Sequence, residues 1–169
     1  MSHRPHATRP TPMNGSRHQI EGGTVKELLS LATRLDVTVH VAHLPEPFRG
    51  FYDHDGRRVV YDFSLTPIER ACVLAHELGH AFYGHEGRDD SDAEAAADAF
   101  AAAVLVDPVR FAHLESIGLS EHSMAEELGV TVKLLRVFVE SHLTRVRGVT
   151  YARARLGRGR YLHALRWAS

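Results

Sequence analysis

His76 and His80 stand four residues apart in "HELGH", with Glu77 between them. On a helix that spacing places both imidazoles on the same side, one turn apart. Two imidazoles so held can ligate one zinc ion, and Glu77 can reach a water on that ion. The surrounding stretch, Val73 to Gly87, packs three histidines and two glutamates into fifteen residues. The whole chain has thirteen histidines, so the pentapeptide needs support from its context.

A catalytic zinc needs a third protein ligand and an open position for water. His85, Glu86, Asp89, Asp90, Asp92, Glu94 and Asp98 all follow in the sequence. His85 and Glu86 lie too near the end of the same helix to fold back easily and fall outside the constellation. Glu94 belongs to the next helix, and an antiparallel helix pair would bring it opposite His76 and His80. Asp98 is one turn further along the same face, suited to accept the free ring N–H of a ligating histidine. Both have plainer alternatives. "SDAE" (Ser91 to Glu94) is itself a capping-box sequence, and Asp98 could be a surface acid. Cys72, one turn before His76, is either a fourth ligand that shuts the site or a small buried hydrophobe, and we favour the hydrophobe.

These residues need elements to hold them. Thr24 and Glu27 form a capping box, and Leu28, Leu29, Leu31, Ala32 and Leu35 supply a helical stripe behind it. "VTVHVAHL" (Val37 to Leu44) alternates like a half-buried strand. "FRGFYD" and "RRVVYDF" flank the turn "HDGR", which completes a small antiparallel sheet. The HELGH helix starts at Thr66, with Pro67 in its first turn and Glu69 closing the box, and ends at Gly84. Further helices are expected from about Asp92 to Val106, from Pro108 to about Ile117, and near 121–128 and 131–143.

The 169 residues, 44% hydrophobic and 24% charged, suit a globular chain. The longest apolar run, Ala99 to Val106, is too short to span a bilayer, and the N-terminus lacks the apolar stretch of a secretory signal. With one cysteine, these features suggest a cytoplasmic protein without membrane contact. The net charge of −1 conceals basic ends: residues 141–169 carry Arg and no acid. We expect residues 1–22 to be a disordered basic arm, 23–118 the core, 119–143 a helical hairpin, and 144–169 a basic segment capable of weak nucleic-acid contact.

"HELGH" followed by "EAAADAFAAAVLVDP" resembles the ImmA/IrrE family of zinc metallopeptidases. The pattern is carried by Glu94, Ala97, Asp98, Phe100, Ala101, Ala102, Val104, Leu105 and Pro108, and the likeness spans roughly residues 24–143. It departs at Val106-Asp107, where a Met-Pro pair is usual, and in length, since larger members carry a further sensor-like domain. The resemblance implies a gluzincin-like α+β fold: a small antiparallel sheet on the HExxH helix, a following Glu-bearing helix, and a C-terminal helix-turn-helix-like part. It also implies one catalytic zinc held by His76, His80 and Glu94, with Glu77 as base and Asp98 behind the ligands. The substrate it implies is a helix-turn-helix repressor encoded nearby, whose cleavage derepresses genes of a phage, mobile element or stress response.

The chemistry further requires a donor for the oxyanion, for which Tyr83, His85, His113 and Tyr52 are candidates. "SMAEELGVTVKLLRVFVES" (Ser123 to Ser141) has a helix-turn-helix look, yet its second helix offers only Lys133 and Arg136 as cations. We read it as a hairpin packed on the core, or a surface that docks or mimics the repressor. The competing functions are a DNA- or protein-binding regulator with structural zinc, and a metallopeptidase-type toxin.

Overall fold

The computed structural model describes residues 20–86, 90–146 and 149–152. Most of the N-terminal arm, the loop residue Asp89 and the last seventeen residues of the basic tail lie outside them. The order is α1 (Ile20–Arg34), β1 (Thr38–Ala42), β2 (Gly50–Asp53), β3 (Arg58–Asp62), α2 (Pro67–Tyr83), α3 (Ser91–Leu105), α4 (Pro108–Ser116), α5 (Glu121–Leu128), α6 (Val132–His142) and a hairpin of β4 (Leu143–Val146) with β5 (Val149–Ala152). This is the expected α+β class. α1 begins four residues before Thr24, so the capping-box sequence there lies inside a helix. Ile20 to Gly22, assigned to the arm on composition, are helical too. No helix among the described residues is long and apolar enough to cross a membrane.

The sheet corrects one expectation. β2 and β3 form the antiparallel hairpin, with Asp53 opposite Arg58, but β1 runs parallel to β3, giving the order β1-β3-β2. The sheet is therefore mixed. The connection from β1 to β2 crosses to the opposite edge of the hairpin, which lets β1 run parallel to β3. Alternating residues mark a strand but not the edge it joins. The arrangement leaves β2 as an edge strand, with consequences for the cleft described below.

α2 is held at both ends as its sequence predicts. Thr66 Oγ1 accepts from the Glu69 N–H at 3.3 Å, and Glu69 accepts from the Thr66 N–H at 3.0 Å. Gly84 closes the helix in the left-handed conformation (φ 70°), which glycine adopts without steric cost. Asp62, at the end of β3, accepts from the backbone N–H groups of Leu44 (2.7 Å) and Ser64 (2.8 Å). Hydrogen bonds from the Ser64 side chain and these amides hold its carboxyl down at about 2. The sheet's exit into α2 is pinned by that clasp.

Leu74, Ala75 and Leu78 of α2 pack against Leu28, Leu31 and Ala32 of α1, Val59 of β3, and Phe100 to Ala102 of α3. Leu134, Leu135 and Phe138 extend this core under α6. α5 and α6 thus pack as a hairpin on this core. The side chains left over on the outer side of α2 are those of the motif.

Candidate metal centre

α2 carries His76 and His80 with their Nε2 atoms 3.1 Å apart. Across from them, Glu94 places Oε2 at 3.2 Å from His76 Nε2 and Oε1 at 3.4 Å from His80 Nε2. Four ligands arranged tetrahedrally at bonds of 2.0–2.1 Å lie about 3.3 Å from one another. The three donors already have that spacing. Among the described residues they are the only group of His, Cys, Asp or Glu gathered tightly enough to hold an ion.

The hydrogen-bond partners of the histidines bear on the same point. His76 Nδ1 lies 2.8 Å from Asp98 Oδ1, so this ring nitrogen donates, and in the neutral ring Nε2 carries the lone pair. That lone pair faces a Glu94 oxygen, and the two repel unless a proton or a cation lies between them. Burial pushes the His76 pKa down, but the Asp98 hydrogen bond and nearby carboxylates outweigh it and leave the pKa raised. Burial and the neighbouring His76 lower His80 to about 4, so its ring is neutral at physiological pH. Burial raises Asp98, yet His76 and Lys133 bring it below the usual carboxylate value.

Two close approaches produce this geometry. A Cβ on Gly79 would lie 2.9 Å from Ala97 Cα and 3.1 Å from its carbonyl oxygen. α2 and α3 therefore touch backbone to backbone, and Glu94 and Asp98, on either side of Ala97, reach the histidines. Gly79→Ala would normally favour a helix interior by about 1 kcal/mol. Here the methyl meets backbone, and overpacking costs about 1–3 kcal/mol. We expect the Gly79→Ala variant to melt at a lower temperature and bind zinc more weakly; thermal melts and a zinc titration check both. Gly50 makes room for side chains of α2 against β2: its Cβ would lie 2.5 Å from Val73 Cγ1 and 3.5 Å from Glu77 Oε1. Glu77 is 8% exposed, beside that strand.

The helix start shows that Glu94 is not the N3 residue of a capping box. Asp90, not Ser91, is the N-cap of α3, accepting from the Asp92 N–H at 2.9 Å. Glu94 thus sits one position beyond the box, free to turn toward α2. Asp92 is exposed. Cys72 is buried in the core and its sulfur accepts from the Thr131 N–H at 3.4 Å, which places it outside the donor cluster.

Above the donors opens a cleft of about 970 Å³, walled by Phe48 and β2 with its turn, and by His85, Glu86 and Glu94. A second cleft of about 480 Å³ shares Phe48, Gly50, His76, Glu77 and Glu94 and continues toward Thr131 and Lys133. Together they make a groove along β2 that passes over His76 and Glu77. Tyr52 and His85 line it. Tyr83 stacks on His85 and meets Phe100 at the helix end, while His113 is exposed on α4; neither lines either cleft. His85 does fold back, contrary to expectation, bringing Nδ1 to 3.0 Å from His80 Nδ1. Gly84 reverses the chain there, and that reversal was the available signal. His54, passed over in the sequence, also lines the cleft, 3.8 Å from Glu86.

Residues 30–140 match the family model Peptidase_M78, the IrrE N-terminal-like domain. The chain belongs to this family. An IrrE N-terminal-like domain is thereby a metallopeptidase-type module, and the HELGH helix and Glu94 both fall inside the matched span. No curated protein matches the chain. Among solved structures, a Mycobacterium tuberculosis transcriptional regulator shares the fold at TM-score 0.53 with 18% identity, over 75% of this chain. The chain spans 43% of that regulator's length.

Proposed function

We propose that this IrrE N-terminal-like domain is a zinc-dependent endopeptidase that cleaves a helix-turn-helix repressor encoded nearby. The carrying observation is the open side of the site: three donors at tetrahedral spacing stand in the floor of a groove beside a buried glutamate. Structural zinc sites have four protein ligands and are closed. Three donors under an open groove favour catalysis over the structural-zinc alternative. Lys133 and Arg136 are both engaged in ion pairs, with Asp98 and Glu121 respectively, which speaks against α6 as a DNA-reading helix.

In this reading His76, His80 and Glu94 hold zinc, which when bound acidifies water and polarises a carbonyl. Glu77 takes the proton of the attacking water and delivers it to the leaving amine. Backbone of the substrate lies extended along the edge of β2 that faces away from β3. Tyr52 donates to the carbonyl oxygen as charge develops there. Among the described residues its hydroxyl is buried with no hydrogen-bond partner, a state that costs about 1–3 kcal/mol and is relieved by a ligand acceptor. A Tyr52→Phe variant should lose about 10-fold or more in cleavage rate with zinc content unchanged; an unaltered rate removes Tyr52 from the mechanism.

The defining experiment incubates the protein with the helix-turn-helix product of the adjacent gene, with and without chelator. Cleavage that chelator stops supports the reading. Salt-sensitive DNA binding with no cleavage overturns it in favour of a regulator. The basic segment at 144–169 is a further proposed contact, for nucleic acid or for the repressor.

A further inference from the structure

Lys133 occupies an unfavourable place. Thr131 caps α6, accepting from the Leu134 N–H at 3.3 Å, so Lys133 falls in the first turn of that helix. The positive end of a helix dipole disfavours a cation there and favours an acid. A residue that breaks a local rule calls for a compensating partner elsewhere. Its ammonium lies 2.9 Å from Asp98 Oδ2, while the other oxygen of the same carboxylate receives the His76 Nδ1–H at 2.8 Å. Asp98 is thus shared between the metal-facing histidine and a cation from the helical hairpin.

The hairpin is anchored so that this pair stays in register. At the start of α6 the Thr131 N–H donates to Cys72, one turn before His76 on α2. At its end His142 Nε2 lies 2.8 Å from the carbonyl oxygen of Ala99, the residue after Asp98. α6 is therefore tied to both helices of the metal site. We infer that Lys133 is a positioning residue of the metal centre, acting through Asp98 on His76, and that the hairpin is part of the site rather than an appendage. Lys133 holds one carboxylate oxygen, which turns the other toward His76 Nδ1 and fixes the ring with Nε2 facing the other two donors. This rests on the metallopeptidase reading above.

The test uses the full chain and zinc alone, titrated in competition with a chromophoric chelator. Lys133→Met should weaken zinc binding about three- to fivefold, as befits a partly exposed ion pair, and Lys133→Arg should restore most of it. Asp98→Asn should cost about 10- to 100-fold. Adding Lys133→Met to Asp98→Asn should cost nothing more, because the link is already cut. Wild-type affinity in Lys133→Met overturns the inference, as does an equal loss with and without Asp98. A loss seen only as a lower melting temperature of the metal-free protein also overturns it. Failure of the wild-type chain to take zinc at all would overturn the metallopeptidase reading itself, a result distinct from the others.

Discussion

If the chain is the proposed zinc endopeptidase, replacing Glu77 with Gln should abolish cleavage of the repressor and leave the metal in place. The amide keeps the size of the carboxylate, so the close packing of Gly50 and Val73 beside it is preserved. It cannot accept a proton from water. Loss of a positioned general base costs about 10²- to 10⁴-fold, which in a slow proteolysis assay reads as no product. None of the three donors is touched, so the purified variant should carry as much zinc as the wild type. Single-turnover cleavage and metal analysis on one preparation measure both quantities. A Glu77→Gln protein that cuts at the wild-type rate would remove Glu77 from the chemistry; one that arrives without zinc would give it a structural role instead.

The second large effect concerns Glu94, for which two roles make opposite forecasts. As a ligand, its replacement by Ala leaves two donors. Zinc affinity should then fall by more than the about 100-fold that losing an outer partner such as Asp98 can cost. As a helix cap, the same change would cost about 1 kcal/mol of stability and nothing in zinc affinity. Asp90 already caps α3, and Ala is the best helix former, so the metal-free Glu94→Ala protein should melt at or near the wild-type temperature. Chelator competition and thermal melts of the metal-free protein decide between them. A variant that melts early and binds zinc normally would sink the ligand assignment.

What could be read from the sequence follows the range of the forces involved. Thr66, Pro67, Glu69 and Gly84 bound α2 through contacts within a single turn, so both ends were legible. The pairing of His76 with His80 is likewise a property of helix pitch. Glu94 was ambiguous because capping and ligation call for the same carboxylate, and only the true cap, Asp90, separates them. The direction of β1 was not legible, since an alternating strand fits either edge of a hairpin. Lys133 and Gly79 were missed because their partners, Asp98 and Ala97, lie on a different helix. A glycine inside "HELGH" was nonetheless a cue, as glycine in a helix interior is costly unless another backbone must come close.

On the proposed reading, the outer edge of β2, which no strand among the described residues joins, has a consequence for what can be cut. The strand is four residues long, Gly50 to Asp53, or about 13 Å of extended chain. A ruler that short reads few side chains, so discrimination among proteins has to come from docking at a distance from the scissile bond. It also accepts only backbone whose own hydrogen bonds are open. A helical repressor would be cut where it frays or in a linker, and the frequency of that opening would set the rate as much as the peptidase does. Stabilising the repressor, for example by its operator DNA, would then protect it without any contact to the enzyme.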